Sequence, residues 1–267
     1  MKELLRRLLT GIVYVVLLLS TAYLNSDAFD FLFMAFGLGC LYEFKRIVEI
    51  KGYYIFIAYL ALWWAYIYLI HTEIPVLILL VITLIIDIAL LGYLFTKTKQ
   101  KFKKLELYLI GIFYISGGFI FLTMIPYNQS EFAKFLIMGI FILIWVSDSF
   151  AYLVGKSIGR TKLFPSVSPK KTIEGSLGGL IFAMLAGYLL SFYENSITSS
   201  QWLILAFIIV LTGGLGDLLQ SKFKRVAGVK DSGAILPGHG GIWDRLDSLV
   251  FAAPFAYLTL KLFFYVS

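Results

Sequence analysis

Cysteine and histidine are nearly absent from this chain of 267 residues. It has one cysteine, Cys40, and two histidines, His71 and His239. A single cysteine can form neither an internal disulfide framework nor a zinc site built of cysteines, and two histidines argue against a metal site of several imidazoles. The composition therefore points away from disulfide-rich proteins and from zinc sites that depend on these two residue types.

Charge is also scarce. Charged residues make up 15% of the sequence, whereas soluble domains contain about 25%. Hydrophobic residues reach 60%, with 24 Phe, 17 Tyr and 5 Trp, which is more apolar surface than one soluble domain can bury. We therefore predict an all-α, polytopic integral membrane protein. In such a protein the net charge of +7 reports topology, so no nucleic-acid partner is expected.

About nine membrane-spanning helices are predicted from apolar runs, each of which must approach about 20 residues. They lie near 8–25, 28–43, 53–70, 74–95, 107–126, 133–154, 174–192, 201–219 and 247–265. Spans one to five form a predicted N-terminal region, 1–130. The predicted catalytic region, 131–267, contains two cytoplasmic loops at 155–174 and 217–247.

The basic residues support this topology. With the N-terminus in the cytoplasm, 21 of the 23 lysines and arginines fall on cytoplasmic segments, as the positive-inside rule requires. Lys134 and Lys261 are the exceptions, each near the outer end of a span. No convincing cleavage pattern follows the first span, so we predict an uncleaved helix rather than a signal peptide.

The loop between spans eight and nine mixes acids with bases. Its acids are Asp217, Asp231, Asp244 and Asp247, and its bases are Lys222, Lys224, Arg225, Lys230 and Arg245. A loop that only sets topology needs the bases but gains nothing from the acids. Asp244 and Asp247 are three residues apart, so they share a face if a helix begins there. The glycines of "TGGLG" before Asp217 would let another helix or a ligand approach closely.

These residue types predict a cation and phosphate groups. Carboxylate oxygens favour a hard cation, above all Mg²⁺, and amines and guanidinium groups suit phosphates. Gly238, Gly240 and Gly241 around His239 can form a backbone nest for an anion. Phosphoryl or nucleotidyl transfer at the membrane surface is the favoured function. Salt-bridged loop packing and an ion path through Asp87, Asp148 and Asp217 remain alternatives.

The segment "SKFKRVAGVKDSGAILPGHGGIWDRLD", 221–247, resembles the signature of the CDP-diacylglycerol synthase (phosphatidate cytidylyltransferase) family. The matching fixed positions are Ser221, Lys224, Arg225, Lys230, Asp231, Pro237, His239, Gly240, Gly241, Asp244, Arg245 and Asp247. The earlier segments "SDSFAYLVGK" and "SPKKTIEG" are similar to the family too. Gln220 is a departure, since many bacterial relatives have glutamate there, and it receives no metal role. Polyprenol kinases, which also use CTP, are the nearest enzymatic rival.

The resemblance implies transfer of a cytidylyl group from CTP to phosphatidic acid, giving CDP-diacylglycerol and pyrophosphate. It also implies Mg²⁺, with a second cation left open, a homodimer, and an active site on the cytoplasmic side of a bacterial inner membrane.

Two sets of site residues are expected on the same basis. Asp217, Asp244 and Asp247 are the expected metal ligands, and with His239 they form the expected catalytic set. The expected substrate-binding residues are Lys170, Lys171, Lys224, Arg225, Lys230, Asp231, Gly240, Gly241, Arg245 and Asp148. Ser168 and Pro169 are also suited to begin span seven, as N-cap and first helical residue.

Overall fold

The computed structural model describes residues 2–96, 102–127, 132–236, 238 and 240–266. It is 79% helical, which confirms an α-helical protein. The helices are α1 (Lys2–Leu24), α2 (Ser26–Ile47), α3 (Tyr54–Trp64), α4 (Glu73–Phe95), α5 (Lys104–Leu109), α6 (Gly117–Met124), α7 (Lys134–Ile158), α8 (Ile173–Leu190), α9 (Ser199–Val226) and α10 (Trp243–Val266). π-Helical turns extend α3 over Ala65–Leu69 and join α5 to α6 over Ile110–Ser116, and a 3₁₀ turn, Ile125–Tyr127, follows α6.

Six helical segments in the described part of the chain are long and apolar enough to cross a membrane. They are Glu73–Phe95, Lys104–Tyr127, Lys134–Ile158, Ile173–Leu190, Ser199–Val226 and Trp243–Phe264. The other three predicted spans also fall on helices. Leu9–Leu24 and Tyr54–Leu69 are shorter apolar helices, and α2 carries charged residues at both ends. A multi-pass membrane protein is therefore supported, while the count of nine stays a prediction.

The helices around the predicted loop 217–247 are longer than hydropathy suggested. α9 continues to Val226, so Ser221, Lys224 and Arg225 lie on its last turns. α10 begins at Trp243, so Asp244 and Asp247 lie in its first two turns. The irregular part of this segment is 227–242, here called the signature loop. Pro237 and His239 of this loop lie outside the described residues, as does the predicted boundary at 130/131.

Span seven begins close to the predicted position 174, since α8 begins at Ile173, but Ser168 and Pro169 do not cap it. Strand β1 (Lys162–Phe164) pairs antiparallel with β2 (Ser168–Thr172), which contains both residues. Thr172 is the N-cap of α8, and its hydroxyl accepts a hydrogen bond from the Gly175 amide at 3.2 Å. The hairpin is a small exception to the all-α prediction, and it places Lys170 and Lys171 on a strand.

Glycines bring α7 close to α8, and α9 close to α10. A Cβ atom built on Gly216 of α9 would lie 2.5 Å from the Cβ of Phe251 and 2.8 Å from the carbonyl oxygen of Asp247 on α10. Gly179 of α8 approaches the Ser147 carbonyl of α7 in the same way. Small residues permit such close approach between membrane helices. The expectation that "TGGLG" accommodates a neighbouring helix is confirmed, and this helix is α10.

Contacts at one end of the bundle join the parts of the chain that carry the predicted site. The Tyr14 hydroxyl donates to the Arg245 carbonyl at 3.4 Å. The ammonium group of Lys222 donates to carbonyl oxygens at the end of α4, including that of Thr96 at 2.8 Å. At the opposite end, the Tyr127 hydroxyl donates to Asp30 at 2.8 Å. The first end therefore brings together the end of α4, the end of α9 and the start of α10, with the middle of α1 in contact through Tyr14.

Candidate active site

A cavity of about 470 Å³ lies at this end of the bundle. Four acids from three helices line it: Asp148 of α7, Asp217 of α9, and Asp244 and Asp247 of α10. Lys224, Asp231 and Arg245 line the same space. The structure thus brings together most of the acids that the sequence singled out.

A second cavity of about 440 Å³ adjoins the first, because Asp148 and Asp217 line both. Its other walls include Lys170 and Lys171 of β2, with Tyr152, Ile209 and Val210 providing apolar surface. Asp148 and Asp217 therefore stand between a space bordered by the signature loop and a space bordered by the hairpin.

Asp217 is paired with a lysine from the hairpin. The Lys171 ammonium lies 2.5 Å from Oδ2 of Asp217, and the Ser221 hydroxyl donates to Oδ1 at 3.3 Å. Burial lowers the pKa of Lys171, but the Asp217 carboxylate outweighs this effect and raises the pKa above the ordinary 10.5. Lys171 therefore keeps its charge at neutral pH and loses it only as the pH rises through that raised value.

Asp244 accepts four hydrogen bonds. Its Oδ1 receives the Lys224 ammonium at 2.7 Å and the Gln220 amide at 2.9 Å. Its Oδ2 receives the backbone amides of Ser232 at 2.8 Å and Gly241 at 2.9 Å. Asp244 thus joins the end of α9 to both branches of the signature loop, and a metal ion bound there would have to share Oδ1 with Lys224.

Asp247 is buried, with 8% of its surface exposed. Its Oδ1 accepts a hydrogen bond from the Ser248 amide at 2.7 Å, and its backbone lies against Gly216. Gly216 immediately precedes Asp217, so the close crossing of α9 and α10 sets the spacing between the two carboxylates.

The donors of this cavity fit a divalent cation by their chemistry. Carboxylate oxygens are the ligands that Mg²⁺ favours. Two of the acids already form ion pairs with a cationic group, Asp217 with Lys171 and Asp244 with Lys224. Within the described part of the chain, no three acidic, histidine or cysteine side chains are arranged as a ready metal site. To complete the coordination of an ion, the acids would have to move closer together or a bound ligand would have to supply further oxygen atoms.

The two glycines that flank His239 in the signature loop have positive φ angles. Gly238 has φ 78° and Gly240 has φ 88°, values that side chains other than glycine rarely tolerate. The Gly241 amide is already bound to Asp244. His239 between these glycines lies outside the described residues.

Of the remaining basic residues, Lys170 lines the second cavity, whereas Arg225 and Lys230 line neither. Arg225 binds the carbonyls of Val167 at 3.3 Å and Val229 at 3.0 Å, and so joins the hairpin to the signature loop. Lys170 and Lys230 are exposed. Their positions leave them accessible to an anionic group.

An ion path through Asp87, Asp148 and Asp217 finds little support. Asp87 is fully buried in α4 and lines neither cavity. Its carboxylate oxygens have no hydrogen-bond partner among the described residues.

Sequence reasoning missed two contacts to this site. Gln220 is fully buried and donates to Asp244, a role for which its amide group is needed. Glu43 of α2 is also fully buried and binds the signature loop. The signal that could have revealed Glu43 is an acid within a predicted membrane span, because such residues are costly and usually have a partner.

These features define a helical membrane protein with an acidic, lysine-paired site at one end of its bundle. The chain belongs to the cytidylyltransferase family, whose profile matches residues 5–263. A phosphatidate cytidylyltransferase of Bacillus subtilis is 33% identical over 98% of this chain and 100% of its own length.

Two staphylococcal proteins with the same name are similar over a shorter part. The protein of Staphylococcus aureus (strain COL) is 41% identical over 62% of each chain. That of Staphylococcus saprophyticus is 39% identical over 64% of this chain and 65% of its own. The matched region therefore spans less than two thirds of the staphylococcal relatives.

Proposed function

We propose that this chain transfers the cytidylyl group of CTP to phosphatidic acid, giving CDP-diacylglycerol and pyrophosphate. The observation that carries the proposal is the pair of adjoining cavities that share Asp148 and Asp217. A transferase that joins a nucleotide to a lipid needs two such spaces, one for each substrate. The names of the relatives give the substrate class.

The first cavity suits the triphosphate of CTP, since Lys224, Arg245 and the signature loop surround it. The second suits the lipid phosphate, since Lys170 and Lys171 lie beside apolar walls. Lys230, Asp231, Gly240 and Arg225 would complete the nucleotide side, together with His239.

The reaction follows from this placement. A phosphate oxygen of phosphatidic acid forms a bond to the α-phosphorus of CTP, while the bond from that phosphorus to the bridging oxygen of the β-phosphate breaks. Pyrophosphate leaves with the electron pair. The attacking oxygen is already anionic near neutral pH, so a strong general base is not required. The lysines offset the repulsion between the two anionic substrates and hold attacking and leaving oxygens in line.

Asp217 and Asp247, with Asp244, are the proposed ligands of Mg²⁺, and Asp148, which lines both cavities, is a further proposed ligand for it or for a second cation. When bound, the ion supplies charge neutralisation at the α-phosphate and the leaving group. Lys171 then serves a second purpose, because it holds the Asp217 carboxylate in position before substrate arrives.

We further propose nine spans with a cytoplasmic N-terminus in a bacterial inner membrane, and a homodimer. Contacts at the two ends of the bundle support nine passes. Asp30 of α2 meets Tyr127 at one end, whereas the end of α9 meets the end of α4 and the start of α10 at the other. The basic residues support a cytoplasmic site, since they cluster at the end that contains the cavities.

CTP labelled at different phosphorus atoms tests the proposed function. The purified protein is mixed with vesicles containing phosphatidic acid, Mg²⁺ and CTP labelled at the α- or the γ-phosphorus. Cytidylyl transfer places the α-label in the lipid fraction and the γ-label in pyrophosphate. A γ-label in the lipid would instead indicate a lipid kinase, and an unlabelled lipid in both reactions would refute the proposal. Asp217→Asn provides the matched inactive control.

A further inference from the structure

Glu43 links the N-terminal half of the chain to the candidate active site. Its Oε1 accepts the Ile242 amide at 2.9 Å. Its Oε2 accepts the Trp243 amide at 2.9 Å and the Ser232 hydroxyl at 2.7 Å. Residue 43 is thus bonded to groups about 190 and 200 positions away, on both branches of the signature loop.

The Glu43 carboxylate caps the N-terminus of α10. The first amides of a helix lack partners within the helix, and a nearby side-chain oxygen usually accepts one of them. Ile242, which precedes α10, has no polar side-chain atom. Glu43 of α2 supplies the oxygens instead, and its negative charge is favourable at a helix N-terminus.

Two glycines of the signature loop leave room for the Glu43 carboxylate. A Cβ atom on Gly233 would lie 2.4 Å from its Oε1, and one on Gly241 would lie 2.2 Å from its Oε2. Glycine at these two positions therefore allows the close approach. Ser232 is held twice, through its hydroxyl by Glu43 and through its amide by Asp244.

Two carboxylates from different helices thus fix the signature loop and the first turn of α10. That turn carries Asp244 and Arg245, with Asp247 one residue further on. A buried carboxylate without a cation partner is costly, and here three donors and a helix N-terminus offset the cost.

We propose that Glu43 is a positioning residue for cytidylyl transfer. It sets the direction of the first turn of α10, and with it the placement of Asp244 and Asp247 relative to Asp217. This inference rests on the proposed function for its kinetic consequence, but the contact itself can be tested without turnover.

Glu43→Gln is the principal variant, because it keeps the size of the side chain and leaves one acceptor oxygen. Its NH₂ group must then face a backbone amide that also donates. We expect kcat to fall about 10- to 100-fold, as for other residues that orient a site through a second residue. We expect KM for both substrates to stay within about threefold. Amide hydrogen exchange across residues 232–243 should become faster.

Asp30→Asn is the matched control. Asp30 is also a buried acid of α2, but it binds Tyr127 at the opposite end. The Asp30→Asn substitution should lower the unfolding temperature, while kcat and the hydrogen-exchange rates of residues 232–243 remain those of the unmodified protein. Ser232→Ala removes only the hydroxyl contact and serves if Glu43→Gln does not fold. It should give a smaller fall in kcat and faster exchange in the same segment.

Unchanged kcat and unchanged exchange in both loop variants would overturn the inference. A lower unfolding temperature with normal kcat would likewise reduce Glu43 to a purely structural role. If the unmodified protein transfers no cytidylyl group, the proposed function fails, whereas the exchange measurement still decides whether Glu43 holds the loop.

Discussion

Gly216→Ala tests whether the close crossing of α9 and α10 sets the geometry of the acids. Gly216 lies next to Asp217 in sequence and against Asp247 in space. The added methyl group would lie 2.5 Å from the Cβ of Phe251 and 2.8 Å from the Asp247 carbonyl oxygen. Neither neighbour is the flexible end of a side chain, so the helices themselves must move.

The size of this movement follows from the contact distance. Ordinary contact begins at 3.4 Å, so relief of the Phe251 contact requires a shift of about 1 Å. Overpacking of this kind costs about 1–3 kcal/mol of folding free energy. A 1 Å misplacement can cost about 100-fold in rate. We therefore expect kcat to fall much further than the stability loss alone would explain, and Gly216→Val to be worse.

The assay compares kcat per folded molecule with the unfolding temperature of the purified protein. Gly92→Ala on α4 is the matched control, because a Cβ there meets nothing within 4 Å. It should retain normal turnover and stability. Normal kcat in Gly216→Ala would refute the reasoning, since the spacing of the two helices would then not matter to the site.

Three further substitutions have distinct expected outcomes. Lys171→Gln removes the charge held against Asp217 and should lower kcat/KM for phosphatidic acid at least about tenfold; unchanged kinetics with vesicle substrates would contradict this. Gln220→Glu replaces a donor to Asp244 with a second carboxylate and should raise the Mg²⁺ concentration for half-maximal activity, while an unaltered Mg²⁺ titration would show that the amide is dispensable. Lys222→Met removes the donor to the carbonyl oxygens at the end of α4, which costs about 1–3 kcal/mol of folding free energy. It should lower the unfolding temperature with kcat retained, and an unchanged unfolding temperature would show that these hydrogen bonds do not stabilise the fold.

Hydropathy located the helices but misplaced the end of α9 and the start of α10. The charged segment "SKFKR" ends the apolar run, so hydropathy ended the helix before it. Its backbone hydrogen bonds nevertheless continue α9 to Val226. The chemistry of the signature segment was therefore expected in a loop, whereas half of it lies on two helices. The start of α8 agrees with the predicted position near 174, but its N-cap is Thr172 rather than Ser168, because pairing with β1 holds Ser168 and Pro169 in a strand.

The acids of the site could be predicted because their spacing and charge are visible in the sequence. Their partners could not. The pairing of Lys171 with Asp217 and of Lys224 with Asp244 depends on which helices cross, and no local pattern reports it. Glu43 illustrates this most clearly, since its three partners lie about 190 to 200 residues away and only its presence in an apolar span marks it.

A crystal structure with CTP and Mn²⁺ in place of Mg²⁺ tests the central claim most directly. The anomalous signal of Mn²⁺ should lie about 2.1 Å from a carboxylate oxygen of Asp217, with the α-phosphate of CTP in contact with the same ion between the two cavities. A metal ion and triphosphate bound away from Asp217 and Asp247 would contradict it.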